Sequence, residues 1–207
     1  MLGNNSFVAS KPKQEYQMDL AYFDMKNEHY VGAFFMIDIF TRFAAAVPFK
    51  TRKPHELLEC IKECIKRLGG KPETLYSDME GSFLSNEIQK YFKDNNIRFL
   101  TTNTHAAYVE SLIRTIKRMV FSRADHYKEE WYDFLWPSML VYNHKNVHSS
   151  IGMTPADATK KTNQFEAKIH QLMHAKYGRP YPDLEVGDNV KVYRKKDLKH
   201  KAERYSV

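Results

Sequence analysis

Asp19, Asp78 and Glu110 are three acids set in three different kinds of local sequence. Asp19 sits in YQMDLAYF, an apolar and aromatic run that reads as a strand. Asp78 closes ETLYSD, a second strand running into a turn. Glu110 lies in THAAYVESLIRTIKRMVF, a helix loaded with basic residues. Carboxylates on separate elements can converge on hard, oxygen-preferring cations such as Mg²⁺. Two such ions about 4 Å apart can clamp the attacking and leaving oxygens of a phosphodiester.

Each acid also has an ordinary structural reading. Asp19, between Met18 and Leu20, could be an edge-strand acid facing water; if buried it needs a partner, because an isolated buried charge costs several kcal/mol. Asp78 alone fits a turn or cap residue. Glu110 alone fits a helix-surface acid supported by Arg114 one turn on and Lys117 two turns on, both on its own face. Asp38 in MIDIF could be a metal ligand in place of one of these, but reads first as structural, accepting hydrogen bonds from neighbouring strands or from the Thr41-Arg42 turn. Glu80 reads as an exposed loop acid.

The elements that must position these residues follow from the hydrophobic pattern. Residues 16–23, 29–41 and 43–50 read as three strands joined by connections too short for crossovers, hence an antiparallel meander. The second is almost wholly apolar, as expected of a strand buried on both faces. KPHELLECIKECIKRLGG carries a helical stripe, with Pro54 at its start and Gly69-Gly70 at its end. A strand over 73–78, a helix over 85–95 with Ser85 as its N-cap, and a strand over 97–102 come next. The pattern is then helical from about 104 to 150, broken near 129–130 and bent at Pro137. TPADATK reads as a short helix, and FEAKIHQLMHAKY as an amphipathic one. This order predicts an α/β domain, a mixed five-stranded sheet flanked by helices. Tyr142, Asn143 and His148 read as shaping a helix-to-loop corner; Trp131, Leu135 and Trp136 read as core or subunit contact.

The 207 residues suffice for one sizeable domain and an extension. Net charge is +7, and the last nineteen residues, with seven basic against two acidic side chains, hold five of those charges. Such a tail suits a polyanion partner. Cys60 and Cys64, four apart on a predicted helix, read as buried free thiols rather than a disulfide. No paired Cys/His zinc module, signal peptide or apolar run of membrane-spanning length is evident, so a soluble protein of a reducing compartment is expected.

Taken together, YQMDL, FFMIDIFTRFAAAVPF, LYSDMEGSF, HAAYVESLIRTIKR, YNHKNVHSSIGMTPADA and LEVGDNVKV resemble retrovirus-type integrases, especially those of Polinton (Maverick) elements. The resemblance implies a ribonuclease-H-like catalytic core over 14–162, after an N-terminal extension over 1–13. It further implies a helical linker over 163–183 and the start of a small basic, SH3-like DNA-binding barrel over 184–207. It implies two Mg²⁺ or Mn²⁺ ions, with Asp19 bridging both, Asp78 completing one site and Glu110 the other. Arg114, Lys117 and Arg118, with Lys191, Arg194, Lys195 and Lys196 of the tail, would contact DNA. The implied activity is 3′-end processing and strand transfer of element DNA into a target duplex, by a homo-oligomer in a nucleus or an element particle. A domesticated or inactive integrase-derived DNA-binding protein is the alternative. The chain departs from the usual Asp-x-Gly-x-Glu-Phe after the second acid, reading Asp78-Met79-Glu80-Gly81-Ser82-Phe83. Thirty-one residues separate Asp78 from Glu110, somewhat fewer than is usual in the family.

Overall fold

The computed structural model describes residues 8–23, 29–78, 81–101, 106–127 and 129–175, together with a short strand pair at 192–193 and 205–206. Ser6–Ala175 form one compact unit; Met1–Asn5 and Lys176–Val207 form another. In the larger unit β1 (Glu15–Tyr22), β2 (Gly32–Asp38) and β3 (Ala44–Phe49) make the antiparallel meander. β4 (Thr74–Ser77) and β5 (Arg98–Thr101) add to it in parallel, giving the order β3-β2-β1-β4-β5. Helices α1 (Pro54–Arg67) and α2 (Asn86–Asp94) form the two crossovers that parallel pairing requires. α3 (Ala107–Tyr127), α4 (Leu135–His144), α5 (Pro155–Ala158) and α6 (Gln164–His174) follow. This is the mixed five-stranded, ribonuclease-H-like architecture expected.

The period-two alternation of β1 divides its neighbours. Tyr16, Met18 and Leu20 point into a core shared with Leu57, Ile61 and Cys64 of α1 and Ile88 and Phe92 of α2. Ala21, on the other face, joins Phe35 and Ile37 of β2 and Val109, Leu112, Ile116 and Val120 of α3. Gln17 and Asp19 share Ala21's parity, so they face α3. Every residue of β2 is buried, its even and odd positions feeding opposite cores, which accounts for its unbroken apolar run.

One expectation needs correction. The helical stretch does not run to 150: α4 ends at His144, and residues 148–153 close a tight turn in which His148 and Met153 exchange a backbone bridge. Gly152 in that turn has φ +70°, and an added Cβ would strike the His170 ring. Pro137 lies outside any helix interior. A 3-10 turn over Trp131–Phe134 separates α3 from α4, and Pro137 falls in the first turn of α4, where no intrahelical donor is lost. Ser85 occupies the N-cap of α2 with extended backbone, but its hydroxyl makes no capping bond.

Cys60 and Cys64 are buried free thiols. Trp131 and Leu135 are core; Trp136 is exposed beneath the Arg67 guanidinium. Asn143 brackets Ala44, accepting from its N–H at 3.0 Å and donating to its carbonyl at 2.8 Å, so α4 is tied to the start of β3. α6 is stitched to the same unit by Gln171 on the Phe40 carbonyl and Lys168 on the Ala9 carbonyl. The barrel expected over 184–207 lies outside the described residues, except that Val192–Tyr193 and Tyr205–Ser206 pair antiparallel.

Candidate metal and nucleic-acid site

Asp19 occupies the second half of β1, Asp78 follows the last residue of β4, and Glu110 lies in the first turn of α3. β1 and β4 run parallel, with Glu15 beside Thr74, Tyr16 beside Leu75 and Gln17 beside Tyr76. Extended by two residues, that register sets Asp78 level with Asp19. Both acids therefore belong at the carboxyl ends of neighbouring parallel strands, where α/β sheets commonly open their binding crevices.

Glu110 reaches this edge because α3 is anchored at its N-terminus. Gln17, two residues before Asp19 on the same face of β1, accepts from Tyr108 N at 2.9 Å and from Val109 N at 3.2 Å. Its buried carboxamide thus satisfies two of the four amide groups that a helix start leaves unpaired. Sequence reading missed Gln17; the available signal was a glutamine at an inward position of an apolar strand, sharing the face of Asp19.

Asp19 and Glu110 line one open cleft of about 480 Å³ with Tyr22, Ile113, Arg114 and Lys117. Asp19 Oδ1 accepts from Leu20 N at 2.7 Å. Lys117 lies over the Phe23 ring, 5.4 Å from its centroid, and that ring stacks on Trp131 at 4.0 Å. The cleft thus pairs two carboxylates with two cations, as the face shared by Glu110, Arg114 and Lys117 predicts. Arg118 is exposed one position further round the helix and does not line it. Lys191, Arg194, Lys195, Lys196 and Glu80 lie outside the described residues.

Asp78 is not among the cleft's lining residues, and among the described residues no three His, Cys, Asp or Glu side chains stand close enough to hold one metal ion. The structure brings Asp19 and Glu110 together and sets Asp78 beside them by register, without gathering all three. In type, though not in a gathered arrangement, the residues suit a hard divalent cation. The donors are all carboxylate oxygens, and Asp78 Oδ1 is buried without a hydrogen-bond partner, a state that a cation would relieve.

Asp38 takes the structural role expected of it. It accepts from Phe40 N, Thr41 Oγ1 and Lys13 N at 2.9–3.2 Å. Burial pushes its carboxyl above the ordinary range, against the pull of those bonds. A larger cleft lies where β1 begins, lined by Lys11, Lys13, Arg67 and Lys161, and Asp38 is its only acid. The Asp38 carboxylate is already bound by three donors, and the other described lining residues of that cleft add no second acid.

Comparisons with known proteins bear on the fold and on the first half of the chain. Residues 9–107 match the family described as the integrase core domain. A transposon-derived protein of Caenorhabditis elegans is 25% identical over 171 residues, covering 76% of this chain; the chain spans about 59% of that relative's length. Among solved structures, the catalytic core domain of HTLV-2 integrase in complex with magnesium superposes with TM-score 0.63 at 22% identity, covering 70% of this chain and 95% of that one. An intasome of simian T-cell lymphotropic virus in complex with the PP2A regulatory subunit B56 gamma gives TM-score 0.69 at 19% identity, covering 99% of this chain and 70% of that one. The catalytic core domain of BIV integrase gives 0.61 at 17%, covering 74% and 98%. The fold is therefore that of retroviral integrase catalytic cores, and the N-terminal half of the chain carries the integrase core signature. Among the described residues no helix is long and apolar enough to cross a membrane.

Proposed function

We propose that this chain is the catalytic core of a DNA integrase, transferring DNA strands by metal-dependent phosphodiester chemistry at Asp19, Asp78 and Glu110. The observation that carries the reading is one cleft lined by Asp19, Glu110, Arg114 and Lys117; Asp78, directly after the neighbouring parallel strand β4, is the third acid. The match of residues 9–107 to the integrase core domain supports it.

The three carboxylates supply oxygen donors for two Mg²⁺ or Mn²⁺ ions, which when bound neutralise charge on the attacking and leaving oxygens. The protein's task is then positioning. Asp19 sits on the sheet, Asp78 directly after its β4 strand, and Glu110 on a helix start pinned to the sheet by Gln17. Lys117, seven residues beyond Glu110, lies about 10 Å further along the helix axis, the span to neighbouring phosphates of a bound strand. Arg114 fills the interval and Arg118 extends the basic face outward. Water cleaves a phosphodiester near the element's end and frees a 3′-hydroxyl; that hydroxyl attacks a target phosphorus as the target's own P–O3′ bond breaks, leaving a 3′-hydroxyl on the cut target strand, and no side chain need be the nucleophile.

The basic segment with Lys191, Arg194, Lys195 and Lys196 is assigned to sequence-independent DNA contact, as the start of a small barrel after the core of 14–162 and the linker of 163–183. We also assign the chain to a Polinton-type element, acting as a homo-oligomer on DNA in the nucleus or an element particle. That assignment rests on the sequence stretches quoted above. Incubating the protein with a labelled duplex and Mg²⁺ or Mn²⁺ tests the reading. Nicking that needs the metal and is lost in Asp19→Asn supports it; binding without nicking under every metal condition would reject the enzyme.

A further inference from the structure

Arg42 combines two costly features. Its backbone has φ 61°, in the left-handed region that residues with a Cβ rarely occupy. Its side chain is 6% exposed, and among the described residues it has no carboxylate partner. A buried cation without a counter-ion persists only where other groups replace its lost hydration. Here three do so. Nη1 donates to the Ile39 carbonyl, Nε donates to Ser150 Oγ at 3.2 Å, and the guanidinium carbon lies 3.9 Å from the centroid of the Tyr108 ring.

The Asp38–Phe43 turn is built to present it. Asp38 accepts from Phe40 N and Thr41 Oγ1, Thr41 Oγ1 accepts from Phe43 N, and Arg42 N donates to the Asp38 carbonyl. Tyr108, two residues before Glu110, lies about 200° round the helix from it. The first turn of α3 is thus held on two sides. Gln17 caps its amides, and Arg42 grips the ring on the side away from the cleft.

We infer that Arg42 is a positioning residue for Glu110: through Tyr108 it fixes the first turn of α3, and with it the direction from which the Glu110 carboxylate enters the cleft. Ser150 joins the 148–153 turn to the same clamp. This inference rests on the proposed role of Glu110 as a metal ligand, and its test separates the two.

The experiment uses the full chain with Arg42→Met, which removes the charge, Arg42→Lys, which keeps charge but loses the planar fork, and Tyr108→Leu, which removes the ring. Hydrogen exchange is followed at the amides of residues 107–112 and of α1, and Mg²⁺ affinity is measured by calorimetry. The clamp predicts exchange at 107–112 faster by about tenfold or more, as loss of a desolvated cation–π contact implies, with α1 unchanged. It also predicts weaker Mg²⁺ binding in all three variants, and no further loss when Arg42→Lys and Tyr108→Leu are combined. Equal acceleration of α1 and α3, or unchanged exchange at 107–112, would overturn it; so would unchanged Mg²⁺ affinity where wild type binds the ion. Should Arg42→Met fail to fold, Arg42→Lys and Tyr108→Leu carry the same readouts. If wild type binds no Mg²⁺, the metal reading of Glu110 fails, while exchange at 107–112 still decides whether Arg42 holds the helix start.

Discussion

Replacing Gln17 by methionine, which keeps its length but loses the accepting oxygen, should separate the anchoring of α3 from its packing. Val109, Leu112, Ile116 and Val120 are completely or almost completely buried. At about 1.5–3 kcal/mol for each buried side chain they hold the body of the helix to the sheet without help from Gln17. What Gln17 holds is the first turn, through two bonds of 2.9 and 3.2 Å. Val109 is 0% exposed, so its orphaned N–H has no route to water; Tyr108 is only half-buried, so its own can be rehydrated. One fully unsatisfied donor costs about 1–3 kcal/mol. For a unit of this size, a loss of about 2 kcal/mol lowers the melting temperature by roughly 4–8 °C. Thermal unfolding by circular dichroism reads the shift, and the Mg²⁺ concentration for half-maximal nicking reads the displacement of Glu110. A melting temperature within a degree of wild type would refute the reasoning, because it would mean that the helix start does not depend on Gln17.

Lys117→Ala should lower affinity for donor-end DNA and lower the melting temperature by only a few degrees, since its contact with the Phe23 ring is worth about 0.5–1 kcal/mol; a lower melting temperature with affinity intact would return Lys117 to a structural role. Deleting residues 189–207 removes a net charge of +5 from the chain's +7, so duplex affinity should fall and its log–log salt dependence should become shallower. An unchanged slope would count against phosphate contact by the tail. Burial holds the His148 imidazole below its ordinary range, and the ring meets Tyr142 edge-on at 4.5 Å. A base with a depressed folded value adds stability that is complete above its unfolded value and is lost as pH falls through that value toward the folded one. His148→Phe, which keeps the ring contact, should therefore flatten the loss of stability between about pH 7 and 5; urea melts at both ends of that range showing the same slope as wild type would exclude the effect.

What sequence made legible, and what it did not, follows from the range of the interactions involved. Asp19 and Glu110 could be read because their local patterns are strong. An acid inside YQMDLAYF and an acid sharing a helix face with Arg114 and Lys117 each announce an orientation, and orientation brings them to one cleft. Asp78 was legible as a strand-end acid, and the offset that sets it level with Asp19 is fixed only by the parallel pairing of β1 with β4. Gln17 and Arg42 were not legible as parts of the site. A glutamine in a strand says that it needs a partner but not that the partner is a helix start some ninety residues away. A buried arginine at positive φ is visible only once the turn is folded. The chain restarts a helix at Leu135, and helical periodicity runs straight across that boundary, so the sequence shows Pro137 without showing that it lies in a first turn. Ser85 was read correctly by position and incorrectly by chemistry, since an N-cap residue need not spend its hydroxyl on the cap.

The most direct test of the central claim is single-turnover strand transfer by Asp78→Asn at saturating Mg²⁺, with folding followed in parallel. Asp78 is the acid that does not line the cleft, and its Oδ1 is buried without a hydrogen-bond partner among the described residues. If that oxygen is kept for a cation, the amide keeps the fold, with a melting temperature at or above wild type. Strand transfer should then fall by about a thousandfold, the equivalent of roughly 4 kcal/mol of transition-state stabilisation. Near-full strand transfer by Asp78→Asn would contradict the three-acid site and the integrase mechanism built on it.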